Sequence, residues 1–413
     1  MQKRMAAYGV ACTLALVVAG PARAELFEVT GVGGGTTVVV RGESLIDLVD
    51  DAVNRQAQFL PLAGTDARVS LTYAGLPNAV NVSINAAGTS ATLTLATGFT
   101  RTFTAANEQA LQDQVEDFIK KEGSAQWASL LKLVNEQTLA GVVDGNPFAT
   151  TAILARGSFD RYGLLDPATS LYTRNFTVNG AQGDASGGFV GFQGFADVAD
   201  TDAGDNRLAG GEFFWGVGLF NRLALVVAAT GAYQEFDGSQ AFHGGIEVGL
   251  PIVILSPEQG VLWQVTPAVS GGVGGSADLA AGGLIWGVGG TSTVAFPVGP
   301  FTLSIANQFT VYNSVEVSVD DYTFDADVQQ EVLINGARLA LPIGDEVNLF
   351  TASVFVGGRH TLLLEDAAVD SWAGPEAGVG LAMGGVKLAV GYRGQFGDGF
   401  DSHGVLFELV IKD

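Results

Sequence analysis

The chain has 413 residues, a formal charge of −23 and a single cysteine, Cys12. That acidity argues against nucleic acid as a partner, since a polyanion is bound by surplus Lys and Arg. Beyond Cys12 there is no thiol, which excludes disulfide staples, thiolate metal sites and a cysteine nucleophile.

Lys3 and Arg4 precede an apolar run from Met5 to Val18, and Ala22-Arg23-Ala24 is a small-x-small cleavage site. Residues 1–24 therefore read as a secretory signal peptide. Glu25 follows in place of a lipid-accepting cysteine, so a lipoprotein is not expected. No later run approaches the roughly 18 apolar residues of a spanning helix. If the chain crosses a membrane, strands must do it. The remaining composition suits that route: 57 glycines and 47% apolar residues against 15% charged fit a wall with one apolar face and acidic loops.

Residues 25–146 read as a small α+β unit, periplasmic or serving as a plug. Gly31–Gly35 lacks the context of a dinucleotide fingerprint and reads as a flexible start to the mature chain. Val38–Val40 are β-branched, and Leu45, Leu48, Val49, Ala52 and Val53 recur at helical spacing. Alternation predicts strands over 67–73, 79–84 and 91–103. Asn107 is expected to cap a helix bearing Leu111, Val115, Phe118 and Ile119, and Ser124 another bearing Trp127, Leu130, Leu131 and Val134. Asp144-Gly145-Asn146-Pro147 ends the unit. Residues 147–186 read as a linker or an extra strand pair, the pair using 149–159 and 171–178.

From 187 to 413 the period becomes two. In Phe301–Val319 the odd positions Phe301, Leu303, Ile305, Phe309, Val311 and Val315 are large and apolar, while Thr302, Ser304, Gln308, Tyr312 and Glu316 occupy even ones. Similar runs cover 187–199, 208–220, 222–236, 241–255, 261–273, 283–298, 328–342, 346–364, 376–384, 386–396 and 403–412. They predict a mainly β protein, an antiparallel transmembrane barrel of about 12 strands, or 14 if the extra pair joins it. The connections 200–207, 237–240, 274–282, 320–327, 365–375 and 397–402 are generally longer than those between them, as expected of outer loops.

On these residues the chain resembles the Gram-negative outer-membrane β-barrel class, without matching one specific family. Ser402, Gly404, Phe407 and Leu409 fit the polar-x-Gly-x-x-apolar-x-apolar pattern that such proteins present to their assembly machinery. The resemblance implies an outer-membrane location, with outer-membrane lipid and that machinery as partners, and a porin-like transport channel passing a small solute, or an anchor for the N-terminal unit.

Alternation places Glu212, His243, Glu247, Gln264, Gln308, Glu316, Lys387, Arg393, Gln395 and Glu408 on the lumen side, where opposite charges pair or narrow a passage. Trp215, Trp263 and Trp286 fall on the apolar face as lipid-facing or belt aromatics. A second reading is an outer-membrane hydrolase using Ser402 with His403, or His243 with Glu247. A third is a secreted soluble β-rich surface or adhesion protein. Asp197, Asp200, Asp202 and Asp205 loosely resemble a calcium run but lack EF-hand spacing and read as a solvated acidic loop. No cofactor, metal or catalytic residue is implied, and the leading expectation is not an enzyme.

Overall fold

The computed structural model describes residues 26–42, 62, 64–118, 123–164, 188–201, 204–220, 222–255, 260–279, 281–315, 317–319, 322–324, 328–343, 350–383 and 385–412. The expected leader, the helix over 44–56, the strand over 171–178 and Glu316 lie outside the described residues.

An antiparallel sheet opens the chain: β1 (Phe27–Gly33), β2 (Thr36–Gly42), β3 (Ala67–Tyr73), β4 (Leu76–Ile84), β5 (Ser90–Leu95) and β6 (Thr100–Thr104), in spatial order β2-β1-β3-β4-β5-β6. The alternate residues Val29, Val69, Leu71, Val80, Val82, Leu93 and Leu95 are buried. They share a core with Leu111, Val115 and Phe118 of α1 (Glu108–Asp117) and its cap, and with Leu130 and Val134 of α2 (Ser124–Gln137). Asn107 caps α1 as expected, its side chain accepting from Ala110 N at 3.0 Å, whereas α2 is capped by Gly123 and Ser124 is its first residue.

Two readings of this unit are corrected. Gly31–Gly35 is no flexible start: it closes the β1–β2 hairpin, with Gly34 and Gly35 at φ +55° and +78°, a region that glycine enters without a Cβ clash. The single strand expected over 91–103 is the β5–β6 hairpin, turned at Gly98.

The barrel is built from β7 (Gly188–Thr201), β8 (Gly204–Phe220), β9 (Leu223–Phe236), β10 (Ser239–Gly249) with its continuation β11 (Ile252–Leu255), β12 (Leu262–Ser276), β13 (Ala281–Val298), β14 (Phe301–Val315), β17 (Gln329–Ile343), β18 (Phe350–Leu363), β19 (Ser371–Met383), β20 (Val386–Gly397) and β21 (Phe400–Lys412). Every neighbour pair is antiparallel, and β21 returns to β7, Phe400 opposite Thr201 and Lys412 opposite Phe189. The wall is thus a closed twelve-stranded barrel with no free edge. Fourteen strands are excluded.

Both ends of the barrel's own chain, Gly188 and Lys412, lie at one rim, here termed proximal. The distal rim carries the connections 202–203, 237–238, 277–280, 316–328, 364–370 and 398–399; within 316–328, β15 (Val317–Val319) and β16 (Tyr322–Phe324) form a hairpin. Alternation decides the faces. On β14, Ile305 and Phe309 are exposed outside while Ser304, Ala306, Gln308, Thr310 and Tyr312 are buried inside. Trp215, Trp263 and Trp286 are exposed on the exterior. Strands run further toward the distal rim than the sequence suggested: the connection expected at 200–207 shrinks to 202–203, so the contrast in loop length is weaker than expected.

The reading of 149–159 as a strand is also corrected. Residues Thr150–Tyr162 form helix α3, and eleven of its residues are buried. A helix buried on all sides has no amphipathic stripe to betray it in sequence.

Candidate functional site in the helix-filled lumen

Helix α3 runs down the inside of the barrel. At the distal end its Thr150 Oγ1 lies 3.0 Å from His243 Nδ1 on β10. At the proximal end Thr293 Oγ1 donates to the Tyr162 carbonyl at 2.9 Å, and Arg338 Nη1 donates to the Leu164 carbonyl at 2.6 Å. A helix leaves its first N–H and last C=O groups without internal partners. Here Thr150 N and Thr151 N donate to the carbonyls of Val142 and Val143, each at 3.0 Å, and the two contacts just given serve the other end. Midway, Gln308 Nε2 reaches the Ala155 carbonyl at 2.8 Å.

Small residues make the space. A Cβ at Gly272 would lie 2.6 Å from Leu154 Cδ1, and one at Gly336 would lie 2.8 Å from Phe159 Cζ. Gly245 is likewise covered by Leu154, and Gly249 by the Tyr162 ring. The requirement is mutual: a Cβ on Gly157 of the helix would meet Glu212 Oε2 at 2.9 Å. In a close-packed interior such contacts seat the helix directly against these faces.

The helix also brings three charges inward, and each meets its complement on the wall. Arg161 donates from Nε to Glu212 Oε1 at 2.7 Å, from Nη2 to Glu212 Oε2, and from Nη1 to Glu247 Oε1 at 2.6 Å. Arg156 Nη1 reaches Asp197 Oδ2 at 3.1 Å, and Arg393 Nη2 holds both oxygens of the same carboxylate at 3.0 and 2.9 Å. Asp160 accepts from Arg359 Nη1 at 2.5 Å and from Arg393 Nη1 at 3.2 Å. Glu376 completes the group, accepting from Arg338 Nε at 2.8 Å and Arg359 Nη2 at 3.3 Å. Phe195 lies under Arg156, and Phe355 under Arg338, each 4.5 Å from ring centre to guanidinium.

Apart from Arg338, at 16% exposure, these side chains are almost wholly removed from water, Arg393 being 1% exposed. Buried pairs of this kind add little net stability over apolar packing, but a broken one leaves an uncompensated charge. Their effect is to set the depth and rotation of α3: a shift by one turn would strand both guanidiniums and the carboxylate away from their partners. Arg393 and Asp197 demand one more glycine, since a Cβ at Gly404 would fall on Asp197 Oδ1.

The residues expected on the lumen side separate into groups. Glu212, Glu247 and Arg393 belong to the network, and His243, Gln264, Gln308 and Gln395 are buried inside the wall. Lys387 and Glu408 pair with each other at 2.8 Å, apart from the helix. In the C-terminal pattern Ser402 and Gly404 point inward, while Phe407 and Leu409 lie on the exterior face. The sequence spacing groups Asp197 with an acidic loop. It faces inward from β7 at 2% exposure, whereas Asp200 and Asp205 are exposed at the distal rim and Asp202 lies outside the described residues. Arg338, Arg359, Glu376 and all three charges of α3 escaped the sequence reading. Inward alternation marks the strand members; nothing local marks those of the helix.

Neither proposed catalytic pair assembles. Ser402 is buried inside and His403 is exposed outside, because consecutive strand residues take opposite faces. His403 Nδ1 instead meets Tyr392 Oη at 2.7 Å on the exterior. His243 is held between Thr150 and Gln234 Oε1, 3.0 Å from each, and the Glu247 carboxylate is taken by Arg161. Among the described residues no group of three His, Cys, Asp or Glu converges as a metal site.

Among the described residues, the contacts of the N-terminal unit and of Phe148, just beyond it, with the barrel lie at the distal rim. Tyr73 Oη donates to the Leu279 carbonyl in the 277–280 turn, Val369 N donates to the Gly145 carbonyl at 3.3 Å, and the Phe148 and Phe400 rings lie edge to face at 5.8 Å. Burial pushes the Tyr73 phenol well above its ordinary pKa. Among the described residues, the element inside the lumen is α3, beyond the expected unit boundary at 146.

The closed, even-stranded antiparallel wall with an apolar exterior is the architecture of the outer-membrane β-barrels. No protein-family model and no curated protein matches the sequence. Among solved structures, the β domain of the Bordetella autotransporter BrkA aligns at 13% identity over 55% of this chain and 99% of that one, with a TM-score of 0.41. The translocator domain of the autotransporter NalP from Neisseria meningitidis aligns at 10% identity over 63% and 98%, TM-score 0.44. LpxR from Salmonella typhimurium aligns at 10% identity over 54% and 99%, TM-score 0.37.

Proposed function

We propose that this chain is an outer-membrane anchor that holds its N-terminal α+β unit at the cell surface, through a barrel closed by α3. The observation that carries the reading is the course of α3. It connects the unit at the distal rim to the proximal rim, and its Arg156, Asp160 and Arg161 are all paired with the wall on the way.

Two physical arguments support one orientation of the barrel. The distal rim carries the two longest connections with chain described in them, 316–328 and 364–370, as expected of the outer side. Its exterior edge also collects charge, including Asp200, Asp205, Arg207, Glu235 and Asp401. The chain ends of the barrel then lie on the periplasmic side. In this orientation the unit is outside rather than periplasmic, and it crosses the membrane before α3 settles in the lumen.

The anchor reading differs from a channel in conductance. Full-length protein in planar bilayers is expected to show no stable open steps. Sustained unitary conductance from the intact chain would overturn the anchor reading in favour of a solute channel.

A further inference from the structure

The barrel's exterior is largely apolar, and a row of polar side chains on three adjacent strands interrupts it. Asn307 on β14, Asn335 on β17 and His360 on β18 are direct register partners, side by side on three adjacent strands. All three face outward, Asn307 and His360 exposed and Asn335 half-buried. Ala337, Gly358 and Ala373 beside them have little or no side chain, and the wall is hollowed there into a depression of ≈ 530 Å³.

The row is not part of the charged distal edge. Phe309 and Leu333 lie between it and that edge, and the nearest outward charge on β17, Glu331, is about 13 Å away along the strand at ~3.3 Å per residue. If the exterior faces lipid, as the anchor reading holds, these groups lie in hydrocarbon, where an unmet donor or acceptor is costly.

Asn307 Nδ2 donates to Asn335 Oδ1 at 2.5 Å. That bond spends one donor and one acceptor and leaves Asn307 Oδ1 and Asn335 Nδ2 facing out. Hydrocarbon tails satisfy neither. A second copy turned by a two-fold axis offers both: its Asn335 Nδ2 meets this Asn307 Oδ1, and its Asn307 Oδ1 meets this Asn335 Nδ2. This is the reciprocity of an isologous interface, and the small residues beside it let two walls approach closely.

We propose that the Asn307–Asn335–His360 notch is the contact through which two copies of this chain pair in the membrane. The pairing rests on the lipid-facing reading of the exterior, and the test keeps the two apart. Wild-type protein, analysed by native mass spectrometry and by light scattering after gel filtration, should be a dimer. Asn307→Leu combined with Asn335→Leu should weaken dimerisation by about tenfold or more. The variant should keep heat-modifiable gel mobility, which reports the barrel itself.

Cysteine cross-linking supplies a second readout, because Cys12 is the chain's sole cysteine and lies in the expected leader. Copies carrying Asn307→Cys and copies carrying Asn335→Cys, expressed together, should join on mild oxidation in membranes. Phe213→Cys, exposed on β8 across the barrel, should not. A folded wild-type protein that stays monomeric, a monomer holding lipid in the notch, or cross-linking equal at Phe213→Cys would each overturn the proposal. Loss of heat-modifiable mobility in the wild type would instead refute the barrel reading.

Discussion

Replacing Arg161 by methionine keeps an unbranched, flexible stem and removes the charged guanidinium. In the native lumen Arg161 makes two bonds to Glu212 and one to Glu247, and the three side chains are 2%, 3% and 9% exposed. The variant leaves two carboxylates buried without a counter-charge. Removing one partner of a buried pair costs about 3–5 kcal/mol, equivalent to a shift on the order of 10²–10³-fold or more in the equilibrium between docked and undocked α3. The barrel wall, held by its own ladder of strand pairs, should persist. We therefore expect Arg161→Met to retain heat-modifiable mobility, to lose its folded band at a lower temperature, and to open conducting steps in bilayers that the wild type lacks. Combining it with Glu212→Gln and Glu247→Gln removes the stranded charges and should recover most of the loss. An Arg161→Met protein with unchanged thermal transition and a closed lumen would refute the claim that this network seats the helix.

Other substitutions probe separate contacts. Gly272→Val places side-chain atoms where Leu154 stands; overpacking of about 1–3 kcal/mol should displace α3 and raise proteolysis of residues 150–162. Tyr73→Phe removes the hydrogen bond to Leu279 and should loosen the unit from the rim by about 0.5–1.5 kcal/mol, measured as faster hydrogen exchange in the 277–279 turn. The same residue predicts a pH dependence. Because burial raises the folded phenol's pKa, the unfolded chain loses that proton first, so the contribution of Tyr73 to stability falls as pH rises above about 10. Tyr73→Phe should flatten that part of the unfolding profile, and an identical slope in both proteins would contradict the burial of the phenol. His403→Ala should cost within about 1 kcal/mol in thermal stability and leave any lipid hydrolysis by the preparation unchanged, since His403 and Ser402 lie on opposite sides of the wall.

The wall was legible in the sequence because a half-buried strand must alternate. Glu212, Glu247, Gln308 and Arg393 could be assigned to the inner face from parity alone, and Trp215 and Trp286 to the outer. Parity also places Asp197 inside, but its neighbours Asp200 and Asp205 made it look like part of a loop; the strand runs through it, and only the far end of the run is solvated. Helix α3 was hidden for the opposite reason. Its sequence TTAILARGSFDRY is buried on every side, so polar and apolar residues do not segregate, and its charges read as signs of exposure. A trace of it was present. Lumen-facing Glu212 and Glu247 had no cation at a matching position on the wall, which calls for one from elsewhere, and Gly245, Gly249 and Gly272 on the same side cleared more volume than a wall needs. The position of the N-terminal unit could not be read locally, because it follows from which rim α3 enters.

The proposed anchor role requires this unit to stand outside the cell. With Cys12 in the expected leader, a single Asp113→Cys substitution on the exposed side of α1 gives the sole thiol outside that leader. Intact cells treated with a membrane-impermeant maleimide should label it fully, with no increase when the outer membrane is permeabilised. Labelling that appears only after permeabilisation would place the unit in the periplasm and contradict the account.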